Sequence, residues 1–271
     1  MQPCSPSIDD LHAPIGVFDA GIGSYGMVQV LRQHFPRQDI LYLADRASFP
    51  YGSKTRDQLA RVVQKAIEAL VARGARAVVL ASNAPSVVVL DEIANGQSVP
   101  VLGVYPPVAQ ALQCTRSGHV AVLGVQSLVH SPEISAYVQR ETQGRPVALV
   151  NASALVALVE DGSFLSQPEA TQAQVNAFMA GLLVEHPGTD VCTLSSTHLP
   201  WLLRYFEAAV PGMQFLDPAQ ELAALLRPNV SEGSGTTVCL ATASHALPLG
   251  SLQQMLRLLG VDLQPQLITI D

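Results

Sequence analysis

Short apolar runs alternate with amphipathic segments along most of the chain, and this alternation predicts the secondary structure. The apolar run at 15–20, IGVFDA, leads through a glycine-rich loop into the helical segment MVQVLRQHF, which stops at Pro36. A second apolar run at 39–45 precedes a helical segment closed by Gly74, and a third run follows at 75–82. Such alternation is typical of buried strands joined by helices. The order strand–helix–strand–helix–strand predicts a parallel sheet with right-handed crossovers.

A second series of the same kind occupies the rest of the chain. Further strands are predicted at 99–104, 119–125, 145–151, 189–196, 213–217 and 237–243, and helices at 106–114, 131–142, 153–164, 168–186, 218–228 and 249–260. The helix at 131–142 has a start signal, with Ser131 as N-cap, Pro132 at its first position and Glu133 in its first turn. The chain therefore divides into two α/β units.

Each unit contains a strand that ends in serine and continues into polar residues. Ser82 ends the run VVLAS and precedes Asn83, whereas Ser196 ends the run VCTLSS and precedes Thr197 and His198. In parallel α/β folds, ligands bind outside the carboxyl ends of the strands. The two serines therefore predict a site in a cleft between the units.

Composition narrows the class of protein. With 48% hydrophobic and 14% charged residues, the 271-residue chain suits buried parallel sheets covered by helices. A net charge of -7 and the lack of a Lys/Arg cluster argue against a nucleic-acid partner. No apolar run approaches the ~20 residues of a membrane span, and no secretory signal is recognisable, so we expect a cytoplasmic protein without a membrane partner.

The cysteines and histidines do not form a recognisable metal or redox site. Cys4, Cys114, Cys192 and Cys239 share no short spacing, and the seven histidines show no i, i+4 pair on a predicted helix. We therefore expect no metal, and we expect reduced thiols, as is usual in the cytoplasm.

The glycine-rich loop after the first strand permits a dinucleotide site. Gly21, Gly23 and Gly26 form a G-x-G-x-x-G pattern between a strand and a helix, and Asp45 ends the next strand at the distance of a ribose-binding carboxylate. Asp19 opposes this interpretation, because its carboxylate would face a pyrophosphate. In the alternative interpretation, the glycines allow a sharp turn and a close approach of the backbone to a small anionic ligand.

Several of the polar residues also permit a serine hydrolase. Ser82 or Ser196, with His198 and Asp19, supplies the residue types of a Ser-His-Asp triad. Neither serine lies in the G-x-S-x-G frame of a nucleophile elbow. A histidine beside a strand end is also often a structural hydrogen-bonding residue, and the sequence leaves both alternatives open.

Taken in order, the motifs resemble those of the glutamate racemase family, within the aspartate/glutamate racemase superfamily. FDAGIGSYG resembles the family's opening F-D-S-G-x-G-G, and FPYGSK resembles its P-Y-G-x-K loop. ASNAPS stands where the family has A-C-N-T-A-S, LVALVEDG resembles P-L-V-E-x-G, and LSSTHLPWL stands where the family has G-C-T-H-Y-P-L-L. The resemblance extends from about Ile15 to Ile270, with the motifs in the family's order.

The resemblance implies an α/β fold of two pseudo-symmetric, three-layer domains with parallel sheets and a cleft between the domains. We expect the first domain at 14–100 plus 212–271, the second at 101–211, and a flexible tail at 1–13. The resemblance also implies that a glutamate-like amino acid binds without a cofactor. Because family members often dimerise, a homodimer is also possible.

The resemblance further implies roles for individual residues. The catalytic positions would be Ser82 and Ser196, assisted by Asp19 and His198. The ligand-binding positions would be Ala20, Pro50, Tyr51, Gly52, Asn83, Ala84, Thr197 and Glu160. This sequence departs from the family at several of them, because serine replaces both catalytic cysteines and alanine replaces a serine and a threonine at two binding positions.

The loss of both thiols changes the expected chemistry. In the family, one thiolate removes the α-proton and the other thiol returns a proton on the opposite face. A cysteine thiol has a pKa near ~8.5, which neighbouring charges can lower into the working range, whereas a serine hydroxyl is a far weaker acid. We therefore favour a protein that binds a small anionic ligand. The alternative is a slow racemase or another acid/base enzyme that uses Ser82, Ser196, His198 and Asp19.

Overall fold

The strands form two parallel sheets. The structure is a computed structural model and describes residues 6–270. The strands are Ile15–Asp19 (β1), Ile40–Asp45 (β2), Ala77–Leu80 (β3), Val101–Gly103 (β4), Val120–Gly124 (β5), Ala148–Asn151 (β6), Val191–Ser195 (β7), Gln214–Leu216 (β8), Thr237–Thr242 (β9) and Gln266–Leu267 (β10). Every strand pair in both sheets is parallel, which confirms the prediction.

The two sheets repeat one topology. The first has the order β10-β9-β2-β1-β3-β4, and the second has the order β6-β5-β7-β8. In each sheet, four strands that follow one another in the chain lie side by side in the order second, first, third, fourth. These are β2-β1-β3-β4 in the first sheet and β6-β5-β7-β8 in the second. The first sheet adds β9 and β10 beside β2. This repeat confirms the predicted pseudo-symmetry, and it makes β3 of the first domain the counterpart of β7 in the second.

Helices connect the strands in each domain. They are Tyr25–His34 (α1), Arg56–Val71 (α2), Asn83–Val88 (α3), Leu90–Ala94 (α4), Val108–Cys114 (α5), Gln126–Val129 (α6), Pro132–Thr142 (α7), Ser153–Glu160 (α8), Ser163–Ser166 (α9), Pro168–Glu185 (α10), Leu203–Ala209 (α11), Ala219–Leu226 (α12) and Leu249–Leu258 (α13). The predicted N-cap of α7 is confirmed, because the N–H of Ile134 donates to Ser131 Oγ at 3.1 Å. Over residues 6–270, no helix combines the length and the apolar character that a membrane crossing requires.

The central strands are apolar on both faces because helices pack against both. In β1, the side chains of Ile15 and Val17 belong to one core, whereas Phe18 belongs to another. Successive side chains of a strand point to opposite faces, so a strand covered on both sides needs a continuous apolar run. The first of these cores also includes Leu123 of β5 and Leu194 of β7. One continuous core therefore joins the two domains beneath the cleft.

Two strands belong to a different sheet from the one predicted. The boundaries predicted at 100 and 211 place β4 in the second domain and β8 in the first, but β4 pairs with β3 and β8 pairs with β7. The chain changes domain only after these strands, where Pro106 and Pro107 follow β4 and Pro218 follows β8. Proline cannot donate a hydrogen bond to a strand ladder, so pairing stops there. Each predicted boundary therefore falls one short strand too early.

The segment before β1 is partly described. Residues 1–5 lie outside the described part of the chain, and Ile8–Asp10 form one turn of 3-10 helix capped by Ser7. The N–H of His12 donates to Asp39 Oδ2 at 2.7 Å. This contact holds the end of the segment against the first domain. The flexibility of residues 1–13 stays a prediction.

Candidate functional site

A cleft between the domains collects most of the predicted site residues. It lies at the carboxyl ends of β1, β3, β5 and β7 and has a volume of about 720 Å³. The predicted residues that line it are Asp19, Ala20, Pro50, Tyr51, Gly52, Ser82, Asn83, Ala84, Ser196, Thr197 and His198. Glu160 does not line the cleft. The sequence therefore located the residues of the cleft wall, with the exception of Glu160, which lies outside it.

Ser82 and Ser196 occupy corresponding places in the two domains. Ser82 follows β3, and Ser196 follows β7, which is the counterpart of β3. Ser82 is half-buried and stands at the N-cap of α3, whereas Ser196 is buried. Since both strands run toward the cleft, the two hydroxyls approach it from opposite domains. This is the arrangement that a two-sided reaction at one carbon atom needs.

Asp19 is a buried carboxyl group with an acid strength near neutrality. It ends β1, and only 4% of the residue is exposed. Burial raises the pKa of Asp19 to about 6, although the charge of His198, the N–H of Ala20 and the hydroxyl of Ser82 all lower it. A general acid or base works best when its pKa lies near the operating pH. Asp19 can therefore either accept a proton or carry a negative charge in the cleft.

Asn83 presents an unsatisfied acceptor. Its Nδ2 donates to the carbonyl of Val104 at 3.2 Å, which fixes the orientation of the amide. Its Oδ1 is buried and has no hydrogen-bond partner within the protein. A buried acceptor without a partner costs free energy, which a ligand N–H would recover. Asn83 also begins α3, a helix that the sequence did not predict.

Glu160 lies behind His198 and joins the two domains. Its Oε1 accepts from the N–H of Ile22 at 2.6 Å and from His198 Nε2 at 2.8 Å, and its Oε2 accepts from Arg46 at 2.9 Å. Burial alone would raise the pKa of Glu160, but the hydrogen bonds and charges of His198 and Arg46 outweigh it and lower the pKa well below its usual range. Glu160 is therefore an ionised structural acceptor, although the sequence predicted a ligand-binding role.

Arg46 is a site residue that sequence reasoning missed. It follows β2 directly and is only 5% exposed. Its guanidinium donates to Glu160 Oε2 and to the carbonyl of Ala20 at 3.2 Å, and it lies over the ring of Phe49. A basic residue at the end of a buried strand was the only sequence signal available. The partner that explains Arg46 belongs to the other domain.

Ser196, His198 and Glu160 form a chain of hydrogen-bonding groups. Ser196 Oγ lies 3.4 Å from His198 Nδ1, and the other ring nitrogen contacts Glu160. In the Ser-His-Asp triad that the sequence permits, the acid would be Asp19, but the carboxylate that contacts His198 is Glu160. This alternative therefore does not describe the contacts of His198, because the packing of α8 brings Glu160 to the imidazole.

The glycine loop approaches the second domain closely. A Cβ atom on Gly21 would lie 2.6 Å from both Glu160 Oε1 and His198 Cε1, and one on Gly23 would lie 2.6 Å from His198 Cγ. A Cβ on Gly26 would lie 3.3 Å from Trp201 Nε1, whose N–H donates to the carbonyl of Gly23. The glycines therefore serve close packing against the second domain.

Asp45 also has a structural role. Its Oδ1 accepts from Thr242 Oγ1 at 2.8 Å and its Oδ2 accepts from Tyr51 OH at 3.2 Å, within a buried environment. These bonds position Tyr51 at the cleft and leave no carboxylate oxygen facing a ribose. Together with the packed glycine loop, they contradict the dinucleotide interpretation.

We expect Gly23→Ala to destabilise the protein. The new methyl group would lie 2.7 Å from the backbone N of His198, which cannot move aside as a flexible side chain could. Overpacking of this kind costs about 1–3 kcal/mol, measurable by urea denaturation. Gly181→Ala is the matched control, because Gly181 lies within α10 and a Cβ there meets nothing within 4 Å. The control should gain up to about 1 kcal/mol, and equal stability of both variants would contradict the packing argument.

The cysteines of the described part lie away from the cleft. Cys192 and Cys239 are buried in strands, Cys114 is half-buried at the end of α5, and none of the three lines the cleft. Burial, helped by the charge of Asp190, raises the pKa of the Cys192 thiol to about 12. Burial likewise raises the pKa of Cys239 to about 12. The thiols of Cys192 and Cys239 are therefore protonated core groups and cannot act as bases.

Few charged side chains line the cleft. Among its lining residues in the described chain, the Asp, Glu and His side chains are Asp19, His130 and His198, and there is no Lys or Arg. Between residues 6 and 270, no three His, Cys, Asp or Glu side chains are grouped as metal ligands. Hydroxyl groups, histidine ring N–H groups, amides and backbone N–H groups are thus the donors that can meet an anionic ligand group.

Known proteins resemble this chain in both sequence and fold. The sequence profile of the Asp/Glu/Hydantoin racemase family matches residues 25–226. A glutamate racemase from Roseiflexus sp. (strain RS-1) is 33% identical over 246 residues, which cover 86% of this chain and 89% of the relative. The chain belongs to the glutamate racemase family. A glutamate racemase from Thermus thermophilus is also 33% identical, again over 86% of this chain and 88% of its own length.

Solved glutamate racemase structures share the fold. The enzyme from Thermus thermophilus in complex with β-chloro-D-alanine superposes with a TM-score of 0.79 at 29% identity, covering 95% of this chain and 97% of that chain. Isoform RacE1 from Bacillus anthracis superposes with a TM-score of 0.82 at 22% identity, covering 96% and 98%. Both confirm the predicted two-domain α/β fold of a glutamate racemase. That Ser82 and Ser196 stand at the two cysteine positions of the family motifs stays a prediction from the sequence.

Proposed function

We propose that the protein binds a glutamate-like amino acid in the cleft and does not carry out two-thiol racemisation. One observation carries this proposal: Ser82 and Ser196 follow the corresponding strands β3 and β7 at the cleft, and no thiol of the described residues lines it. A serine hydroxyl scarcely ionises near neutral pH, so it cannot remove an α-proton as a thiolate does. The fold and the wall of the cleft persist without the two groups that drive the family's reaction.

The remaining polar groups suit an amino acid. The unsatisfied Oδ1 of Asn83 and the carboxylate of Asp19 offer acceptors for an ammonium group. The hydroxyls of Ser82, Ser196 and Thr197 offer neutral donors for a carboxylate. The related Thermus thermophilus enzyme is described in complex with β-chloro-D-alanine, an amino acid. These contacts support binding of the amino-acid group, and glutamate is the side chain that the family favours.

Proton exchange and thermal shift together test this function. The protein is incubated in D₂O with L- or D-glutamate, and separately with L- or D-aspartate, while NMR follows the α-proton signal. We expect no faster loss of the signal than in the Ser82→Ala, Ser196→Ala variant. We also expect glutamate at about 100 times its Kd to raise Tm by roughly 5–10 °C, because a ligand that binds only the folded state stabilises it.

Two variants serve as controls for the thermal shift. Ser98→Ala removes an exposed serine outside the cleft and should leave the thermal shift unchanged. His198→Ala should abolish the shift because His198 lines the cleft. The absence of any shift with all four amino acids would refute the binding proposal. Signal loss that depends on the two serines would instead show that racemase chemistry persists.

A second candidate is proton exchange by the carboxyl and imidazole groups. It is favoured by the pKa of about 6 at Asp19 and by the contact between Ser196 Oγ and His198 Nδ1. These groups approach the cleft from opposite domains, so they could remove and return a proton on opposite faces of a carbon atom. In the same experiment, this function predicts α-proton loss that disappears in Asp19→Asn and persists in Ser98→Ala.

A further inference from the structure

Arg46 is placed to act on the imidazole of His198 through Glu160. Its guanidinium contacts Glu160 Oε2 at 2.9 Å, while the other oxygen of the same carboxylate contacts His198 Nε2 at 2.8 Å. The side chains of Arg46, His198 and Glu160 are 6%, 8% and 12% exposed, respectively. Electrostatic contacts so shielded from water act more strongly than the same contacts at the surface.

The ionised carboxylate decides which ring nitrogen carries the proton. An ionised carboxylate only accepts hydrogen bonds, so His198 Nε2 must be the donor in their 2.8 Å contact. In a neutral imidazole the other nitrogen, Nδ1, is then an acceptor. That nitrogen faces the hydroxyl of Ser196 at 3.4 Å, which can donate to it. The neutral ring therefore presents a basic nitrogen on the side of the cleft.

Arg46 fixes the carboxylate that selects this tautomer. A buried carboxylate needs a counter-charge to stay ionised and in place. Over residues 6–270, Arg46 is the only Lys or Arg in contact with Glu160. Because Arg46 holds Oε2, the other oxygen, Oε1, is left to accept from His198 Nε2 and from the N–H of Ile22. Loss of the guanidinium would therefore free the carboxylate and remove the preference for one ring nitrogen.

We propose that Arg46 is a positioning residue that, by holding Glu160, makes Nε2 the protonated nitrogen of the neutral His198 ring and leaves Nδ1 to accept from Ser196. The same guanidinium holds the carbonyl of Ala20, so it also orders the strand end that carries Asp19. Arg46 belongs to the first domain, whereas Glu160, His198 and Ser196 belong to the second. The state of the imidazole therefore depends on contact between the domains. This inference concerns the protein without ligand and stands apart from the proposed function.

Nitrogen NMR of ¹⁵N-histidine-labelled full-length protein tests the proposal. At a pH at which the ring is neutral, we expect His198 of the unaltered protein to show one protonated nitrogen, Nε2, and one unprotonated nitrogen, Nδ1. In Arg46→Gln we expect a mixture of the two neutral tautomers in place of this pattern. Arg46→Lys keeps the charge and should restore the pattern at least in part. Arg37→Gln is the matched control, because the Arg37 side chain is 71% exposed and pairs with Glu232 at the surface.

Each outcome decides the proposal. An unchanged Nε2-protonated pattern in Arg46→Gln would overturn it, as would a neutral ring protonated on Nδ1 in the unaltered protein. If Arg46→Gln does not fold, the spectrum of Arg46→Lys and that of the unaltered protein still test the predicted tautomer. Glutamate binding can be measured on the same samples. A protein that shows the expected tautomer and binds no amino acid would refute the proposed function and leave the role of Arg46 intact.

Discussion

Glu160→Gln is expected to destabilise the protein by about 3–5 kcal/mol, the largest loss that we predict for a single substitution. Glutamine keeps the shape of the side chain but removes its charge, so Arg46 stays buried without a counter-ion. One carboxamide group also cannot accept from the N–H of Ile22, His198 Nε2 and Arg46 as the carboxylate does. Urea denaturation at pH 7.5 measures the loss.

A surface pair provides the control for Glu160. Glu232 lies 3.9 Å from Arg37, and its side chain is 81% exposed, so Glu232→Gln should change stability by less than about 1 kcal/mol. Equal effects of the two substitutions would show that the buried pair contributes no more than the exposed one. The role assigned to Glu160 between the domains would then have to be abandoned.

Asp19→Asn is expected to stabilise the protein at neutral pH. Because burial raises the pKa of Asp19 from 3.8 to about 6, ionisation of this group opposes folding. A shift of this size corresponds to about 3 kcal/mol as an upper limit, since one pKa unit is about 1.4 kcal/mol. Asparagine has a similar shape and never ionises. The gain in stability should be accompanied by loss of the glutamate-induced thermal shift, because an acceptor for the ammonium group loses its charge.

The dependence of this gain on pH follows from proton binding. Between about pH 4 and pH 6 the folded protein holds a proton on Asp19 that the unfolded chain has released. The stability contributed by this residue is therefore full below pH 4 and is lost as the pH rises through 6. The variant should exceed the unaltered protein at pH 7.5 and match it near pH 4. Asp262→Asn, at an exposed position, should show no such dependence, and a constant difference for Asp19→Asn would contradict the assignment.

Most elements of regular structure were predictable because their signals are local. The apolar run of β1 and the N-cap of α7 each occupy a few consecutive residues, and both form as predicted. The short elements were less accessible. Strand β4 has three residues, and its pattern predicts a strand but not the partner of that strand. The two residues of β10 and the six of α3 are too few for a prediction of either element. Pairing between strands, and not periodicity, decided where the domains divide.

The members of the candidate site were predictable to different degrees. Asp19, Ser82 and Ser196 follow apolar strands, and residues at the carboxyl ends of parallel strands meet at one edge of a sheet. Their assembly in one cleft could therefore be inferred from their positions in the sequence. Glu160 was found through a family motif, but its motif does not show that the carboxylate turns away from the cleft and binds the imidazole.

Local sequence thus located the two serines, the neighbouring acid and the histidine, and the family resemblance predicts that Ser82 and Ser196 replace two catalytic cysteines. Neither of them could assign the partners of these groups, because those partners come from the other domain. Arg46 and Glu160 are 114 residues apart in the chain, and Ile22 and Glu160 are 138 residues apart. Such contacts, and the burial that raises the pKa of Asp19 to about 6, arise only when the two sheets pack around a shared core. Burial and charge pairing depend on distances in space, which spacing along a chain does not encode.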